Sequence, residues 1–427
     1  MKASRRMVGG FLMATISCNA AAIDKHELRL RYEDLKRRYQ TLPGKSRHLQ
    51  AVEALVSAIE SAKHKQDGTQ LNGLLSDFDH LITPLEQGAE MGGMLPVVKA
   101  GPVDGVAGDK ASSEYQLVKA LFGIPEFRAL LQLKAQPRNI DDGGAAGRNI
   151  AGFSDVAAQR EAGWMLLLGL MENQPAAVEK AVRAVEYAFA RQHAQGYFEN
   201  GLGVSAPKAI NADVFFLQAY AQVYGLLKES PFAPQYLSRL DALQPKLQLA
   251  MSWLRQNTDE MRRQDGHTAN RLAFDALALL LNGKLLGDQA LLDSGSGFLR
   301  QVLSMQREDG VFLEKGGYDS SYQAVTLLNL QIAWTFLEDA GLRQQTFLAM
   351  VGGMNWLKSR ILPNGEVSSA GNSRTGHAQE IFFGKAKEIN YGEVAFALFY
   401  WSVIANDKAA EALAKNVIGF AQQHGQT

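Results

Sequence analysis

A chain of 427 residues that is 46% hydrophobic can bury one large core or two ordinary ones, which excludes extensive disorder away from its ends. Lys plus Arg equals Asp plus Glu at 44 each, so no global basic field exists for non-specific nucleic-acid binding. No nucleic-acid partner is expected, and any recognition of anions has to be local.

The first 22 residues read as an export signal. Lys2, Arg5 and Arg6 precede the apolar run Met7 to Ile16, and Ala20-Ala21-Ala22 fits a small-residue cleavage site. The run is too short for a good transmembrane helix, so no stable membrane insertion is expected. Ser4-Arg5-Arg6 resembles a twin-arginine signal, and Thr15-Ile16-Ser17-Cys18 resembles a lipoprotein box. Each variant places the protein in the periplasm or outside the cell. Cys18 is the single cysteine, so cleavage leaves no thiol, disulfide or cysteine metal site. The eight histidines show no HExxH or other paired metal spacing. No metal and no cofactor is expected.

Residues 23–86 form an expected N-terminal helical segment. Charged helical sequence to about Lys63 is broken at Pro43-Gly44 and reads as a hairpin, with a further helix from about Leu71 to Leu85. Residues 87–111, rich in Gly, Pro and Val, read as a linker. From 112 to 427 the pattern repeats. Apolar helical runs are expected near Tyr115–Phe122, Ala157–Met171, Ala176–Gln192, Asp213–Leu227, Leu237–Leu254, Arg271–Leu285, Gln289–Met305, Ser321–Leu337, Gln344–Lys358 and Tyr391–Ile404. Glycine-bearing connectors punctuate them: Gln195-Gly-Tyr-Phe198, Gln264-Asp-Gly266, Gln306-Arg-Glu-Asp-Gly-Val-Phe312 and Pro363-Asn-Gly-Glu-Val367. Helix pairs too apolar to stand alone must bury their faces on neighbours, and no period-two strands appear. The expectation is an all-α fold, an (α/α) toroid preceded by an N-terminal helical hairpin.

In such an array one set of helix ends converges on a rim. That rim collects Arg148, Asn149 and Asp155; Asn211 and Asp213; His267, Asn270 and Arg271; Tyr318, Asp319 and Tyr322; Asn372, Arg374 and His377; and Asn390, Tyr391 and Glu393. Taken singly, Asp155, Asn211, Asp213 and Asn390 read more readily as helix caps than as catalysts. The tryptophans lie inside apolar runs and read as core, whereas Tyr197, Phe198, Phe312 and Tyr318 lie in loops where rings can stack on sugars.

One stretch resembles a known family. Asp309-Gly-Val-Phe312, followed by Tyr318-Asp-Ser-Ser-Tyr322-Gln-Ala-Val-Thr-Leu, is similar to the DGSFxQH…YxGxYGxVxL signature of the hyaluronate, chondroitin AC and xanthan lyases. Thr268-Ala269-Asn270-Arg271 resembles that family's GANR segment. The resemblance spans about 60 residues. It implies a helical toroid that cleaves uronate-containing polysaccharides by β-elimination, with Tyr322 as the catalytic tyrosine and Asn270 and Arg271 as its companions. Glu314 and Lys315 stand where the family carries its histidine, Ser320 and Gln323 stand for two of its glycines, and its C-terminal β-sandwich is missing.

Three functions are therefore carried forward. In the first, an exported lyase acts on an acidic polysaccharide or oligosaccharide: Arg271 with Asn270, or Arg374 with Asn372, holds the carboxylate, Tyr322 moves the proton, and His267 or His377 serves as base. Asn211, Tyr318 and Tyr391 are expected to bind substrate. In the second, carboxyls drawn from Asp155, Asp213, Glu314, Asp319 and Glu393 hydrolyse a glycoside, which needs a separation of ~5–5.5 Å or ~6.5–9.5 Å. In the third, the protein binds an exopolysaccharide or an export-machinery partner without turnover.

Overall fold

The computed structural model describes residues 25–41, 59, 75, 113–198, 210–376, 380–382 and 385–425. The chain divides into two compact units, Met1–Ala107 and Gly108–Thr427, and the division falls within the stretch read as a linker. In the first unit one complete helix is described, α1 (Lys25–Thr41), which buries Tyr32 and Leu35 and carries a charged outer face. The second arm of the expected hairpin, the export signal and the linker lie outside the described residues.

The second unit is all-α. Its helices are α2 (Glu114–Leu121), α3 (Pro125–Lys134), α4 (Glu161–Glu172), α5 (Pro175–Phe189), α6 (Ile210–Glu229), α7 (Ala233–Asp241), α8 (Gln244–Gln256), α9 (Thr258–Asp265), α10 (Ala269–Leu286), α11 (Gln289–Ser304), α12 (Ser320–Phe336), α13 (Ala340–Ser359), α14 (Tyr391–Ile404) and α15 (Lys408–Gln423). The only strands among the described residues are β1 (Ile381–Phe382) and β2 (Lys385–Ala386), a two-residue antiparallel ribbon. The run expected at Leu237–Leu254 is two helices, α7 and α8, separated at Ala242 and Leu243.

Local chemistry sets the boundaries. Asp288, Asp319, Asp339, Asn390 and Asp407 each turn a side-chain oxygen onto the free amides that open a helix. Pro125 and Pro175 occupy first-turn positions where no amide hydrogen is needed. The resulting hairpins α4/α5, α10/α11, α12/α13 and α14/α15 pack tightly within themselves, and α4, α6, α10, α12 and α14 then neighbour one another in that order. Helix α3 touches both α14 and α4, and α2 touches both α14 and α6, so the first and last hairpins are bridged. The five central helices are buried on most of their surface, as their high overall apolarity demands. Edge-to-face contacts among Phe127, Phe396 and Phe399, and among Phe189, Phe198, Phe216 and Tyr220, fill the joints between layers.

The glycine connectors have a shared structural cause. At Gly310 the backbone adopts φ +88° and the α-carbon sits so close to α13 that a β-carbon would lie 2.3 Å from the Gly352 carbonyl oxygen. Gln306 clamps the turn, donating to the Gly310 carbonyl (3.0 Å) and the Ala349 carbonyl (2.7 Å). Gln192 does the same with Gly196 and Lys246 of α8, at 2.9 Å each. Each turn therefore docks onto the outer helix of the next hairpin. Gly266 departs from this pattern, since its φ of −60° continues the helical turn after α9. Gly310→Ala combines a left-handed backbone with a backbone clash and is expected to cost about 2–3 kcal/mol, read as a lower denaturant midpoint with an unchanged slope.

Candidate functional site

The N-termini of the central helices meet, and the hydrogen bonds between them fix the order. Asn211, near the start of α6, reaches Asp265 and Arg271: with its amide turned to satisfy its neighbours it donates to Asp265 Oδ2 (2.5 Å) and accepts from Arg271 (2.8 Å). The Ala269 amide, opening α10, donates to the Leu313 carbonyl (3.1 Å), and the Lys315 amide donates to the His267 carbonyl (3.1 Å). The Asn390 amide, before α14, donates to Ser321 Oγ on α12 (3.0 Å). Connectors drawn from three parts of the sequence are thereby stitched side by side.

At the centre of this rim stands Tyr322, half-buried on the first turn of α12. Its phenol oxygen accepts a hydrogen bond from Lys387 Nζ at 2.5 Å. The Arg374 guanidinium lies over its ring, 3.6 Å from the centroid. Arg374 is itself 3% exposed and pairs with the buried Glu314 and with Glu380 (2.9 Å). Glu380 also receives Lys315 (2.9 Å) and Lys387 (3.3 Å). Burial pushes the Glu314 carboxyl up to about 7, while Arg374 and the Asn270 amide pull it down. Burial works the same way at Glu380, but hydrogen bonds from Arg374 and Lys315 overcome it and hold that carboxyl at about 2. Lys315, Arg374 and Lys387 thus face one permanent carboxylate, and the patch around the phenol favours an anion.

Arg271 is 38% exposed, tied to the fully buried Asp265 at 3.2 Å. Burial raises the Asp265 carboxyl and raises Asp275, one turn past Arg271, well above the ordinary range. His267 is exposed at the turn before α10. Asn270 is 5% exposed, with a buried side-chain oxygen that meets no donor.

Several expected substrate contacts are instead parts of the frame. Asn372 spends its side chain on the Ser320 amide (3.0 Å) and Thr375 (2.9 Å). Tyr391 is 5% exposed and stacks on Phe420, so its ring belongs to the joint between α14 and α15. Tyr318 packs edge-on against Trp356 and donates to the Ala370 carbonyl (3.3 Å). His377 lies outside the described residues. Among the carboxyls considered for hydrolysis, Asp319 accepts from the amides of Ser321, Tyr322, Arg374 and Thr375 and from the Thr375 hydroxyl, and Asp213 is sealed against the Phe198 amide. Asp155 caps Ala157 and pairs with Arg148.

Helical phase connects the rim to a cavity of ≈ 110 Å³ lined by the central helices. On α12 the face carrying Tyr322 continues through Val325, Leu328, Asn329 and Ile332; on α10 Arg271 leads to Phe274; on α6 Asn211 leads through Phe215 to Gln218 and Gln222. All of these except Phe215 and the three rim residues line the cavity, along with Trp164 of α4 and Glu393 and Tyr400 of α14. Lys387 and Glu380 were missed in the sequence because they flank a short ribbon with no helical period. The cavity residues carried a legible signal, Gln218, Gln222 and Asn329 interrupting otherwise apolar runs.

Two of the buried acids make stability depend on pH. Glu314 is held up to about 7 and Glu114, on α2, up to about 8, both chiefly by burial. Each native carboxyl keeps a proton that the unfolded chain releases near 4.5, so the stability they confer is full below that pH and is lost as pH rises through about 7 and 8. Glu314 alone contributes on the order of 3 kcal/mol to this slope. Melting temperatures measured from pH 5 to pH 8.5 are expected to fall; a rise across that window would contradict the assignment.

Compared with protein-family models, with curated proteins and with solved structures, the chain matches none. No helix among the described residues is long and apolar enough to cross a membrane.

Proposed function

We propose that the protein is an exported lyase that cleaves an acidic, uronate-containing glycan by β-elimination at Tyr322. The observation that carries this reading is the environment of one phenol: its oxygen 2.5 Å from an ammonium and its ring 3.6 Å from a guanidinium. Elimination needs a base for the proton on C5 of the uronate, positive charge to accept the enolate character that develops on its carboxylate, and an acid for the departing oxygen. The step requires Tyr322 to react as its phenolate, with the Lys387 ammonium at its oxygen and the Arg374 guanidinium over its ring to balance that charge, and this oxygen takes the C5 proton. The electron pair of the C–H bond becomes the C4–C5 double bond, the C4–O bond breaks, and the phenol returns its proton to the leaving oxygen.

Arg271 is the residue we assign to the uronate carboxylate. It is partly exposed, and Asp265 and Asn211 hold it from behind. His267 is exposed on the neighbouring turn. The likeness of 309–327 and 268–271 to the hyaluronate, chondroitin AC and xanthan lyases points the same way, with Lys387 and Arg374 occupying the electrostatic role that the absent histidine would fill. The direct test is incubation with uronate polysaccharides while following ultraviolet absorbance of the unsaturated product. New reducing ends without that chromophore would select hydrolysis instead, and calorimetric binding without either product would select a non-catalytic glycan-binding role.

A further inference from the structure

Glu380 is held in the way a bound carboxylate is held. Arg374 presents its fork to it, Nε to Oε2 at 2.9 Å and Nη2 to Oε1 at 3.4 Å, and keeps Nη1 on the buried Glu314. An ammonium then meets each oxygen, Lys315 on Oε1 at 2.9 Å and Lys387 on Oε2 at 3.3 Å. A planar fork with a point charge at either end is a geometry that selects a carboxylate. Glu380 itself stands at the edge of this cluster. Its side chain is 25% exposed, and Ile381, the next residue, is 70% exposed at the start of the short ribbon.

The backbone of Lys315 is a second, separate observation. It takes φ +53°, a left-handed conformation in which a side chain brings strain that glycine avoids, although Gly316 and Gly317 follow it directly. The turn is fastened on both sides: the Lys315 amide donates to the His267 carbonyl (3.1 Å) and the Glu314 amide to the Gly317 carbonyl (2.9 Å). What the strained position delivers is an ammonium at Glu380 Oε1. Lys387 joins the same carboxylate to the reacting group, since its Nζ lies 3.3 Å from Glu380 Oε2 and 2.5 Å from the Tyr322 oxygen. An acid seated there is one ammonium away from the phenol.

We infer that Lys315, Arg374 and Lys387 form a second carboxylate subsite for the substrate, and that Glu380 is its resident, an internal anion that a sugar acid replaces. This rests on the reading of Tyr322 as the eliminating residue and extends it to the substrate class. Arg271 opens α10, Lys387 precedes α14, and α12, which carries Tyr322, packs against both of those helices. A glycan crossing the phenol from α10 towards α14 therefore meets a carboxylate holder on each side of the bond to be broken. The substrate class is then a run of consecutive uronates. Exchange replaces one carboxylate by another, so the three cations keep an anion throughout, while Glu380 turns to water from a position already part-exposed. The resident lowers the apparent affinity of the subsite by the fraction of molecules in which it has withdrawn.

Calorimetric titration with sodium glucuronate reads the subsite directly. Glu380→Gln removes the charge and keeps the backbone bonds to Arg374 and Lys387; it is expected to bind glucuronate about tenfold more tightly than native. Lys315→Gln added to it should cancel the gain, and Arg271→Gln added to it should not, which places the gain at this subsite. Should Glu380→Gln lose its fold, Glu380→Asp, whose shorter reach weakens the resident, is expected to bind about threefold more tightly than native. A folded variant that binds glucuronate no more tightly overturns the subsite and leaves Glu380 as a strut for Arg374 and Lys387. An equal gain for inorganic sulfate overturns the selection of a carboxylate. Of polyglucuronate, polygalacturonate and alginate, at least one should be eliminated faster than hyaluronan, in which a neutral sugar separates the acids; hyaluronan as the fastest of the four overturns the consecutive-uronate class. If the gain in glucuronate binding appears yet no glycan yields unsaturated product, the subsite stands and the lyase reading falls; unsaturated product without any gain in Glu380→Gln gives the reverse.

Discussion

Tyr322→Phe is expected to lower the rate of elimination on a uronate glycan by about 10²–10⁴-fold, the range in which positioned acid–base groups act, while shifting the melting temperature by no more than a degree or two. The phenol oxygen is held by one side chain, Lys387, and the ring keeps its place under Arg374 when the oxygen is removed. Loss of rate without loss of fold therefore separates a chemical role from a packing one. The loss should appear in kcat more than in KM, because the phenol oxygen is needed in the transition state and contributes little to ground-state affinity. Full activity in a folded Tyr322→Phe protein would remove the mechanism.

Arg374→Met is expected to destabilise the second unit by about 3–5 kcal/mol, the usual consequence of leaving one member of a buried ion pair without its partner. Arg374 and Glu314 are 3% and 2% exposed, and Glu380 leans on the same guanidinium. Removing the arginine takes away the charge that opposes burial at Glu314, whose carboxyl stands at about 7 even with Arg374 in place. The penalty should shrink as pH falls below that value, because a protonated Glu314 no longer needs a cation. The double variant Arg374→Met with Glu314→Met should recover most of the loss, since buried pairs replaced together by apolar groups are often neutral. Chemical denaturation at pH 5.5 and pH 8 measures both effects; a penalty independent of pH would show that Arg374 acts through packing alone.

How much of this was readable beforehand differs between fold and site. The all-α class followed from helical period and from caps such as Asp319 and Asn390, whose roles need only a few residues of context. The glycine connectors were visible as a recurrence, but their cause, a backbone carbonyl one hairpin further on, is a long-range fact. The helix α15 was absent from the expected runs although Ala410, Ala414, Val417, Ile418 and Ala421 mark its apolar face. At the site, the grouping of Asn211, Arg271 and Tyr322 at one rim was read from position within the repeat. Asn372 and Tyr391 looked equally well placed, and only side-chain direction shows that they brace α12 and pack against α15. Lys387 reaches Tyr322 across 65 residues from a segment without period, which no local pattern could have shown.

The ends of the central helices remote from the rim are joined to their partners by very short links: Asn173 and Gln174, Gly287 and Asp288, Leu337 to Asp339, Ala405 to Asp407. Left-handed backbone at Asn173 and Gly287 and capping by Asp288, Asp339 and Asp407 close these turns with local hydrogen bonds, and Lys358 of α13 adds an ion pair to Asp407 at 2.9 Å. None of them contributes a group to the phenol or the cavity. The scaffold therefore separates two kinds of evolutionary freedom, with reactivity able to diversify through connector replacement at one pole while the other supplies attachment points for tags, tethers or a permuted terminus.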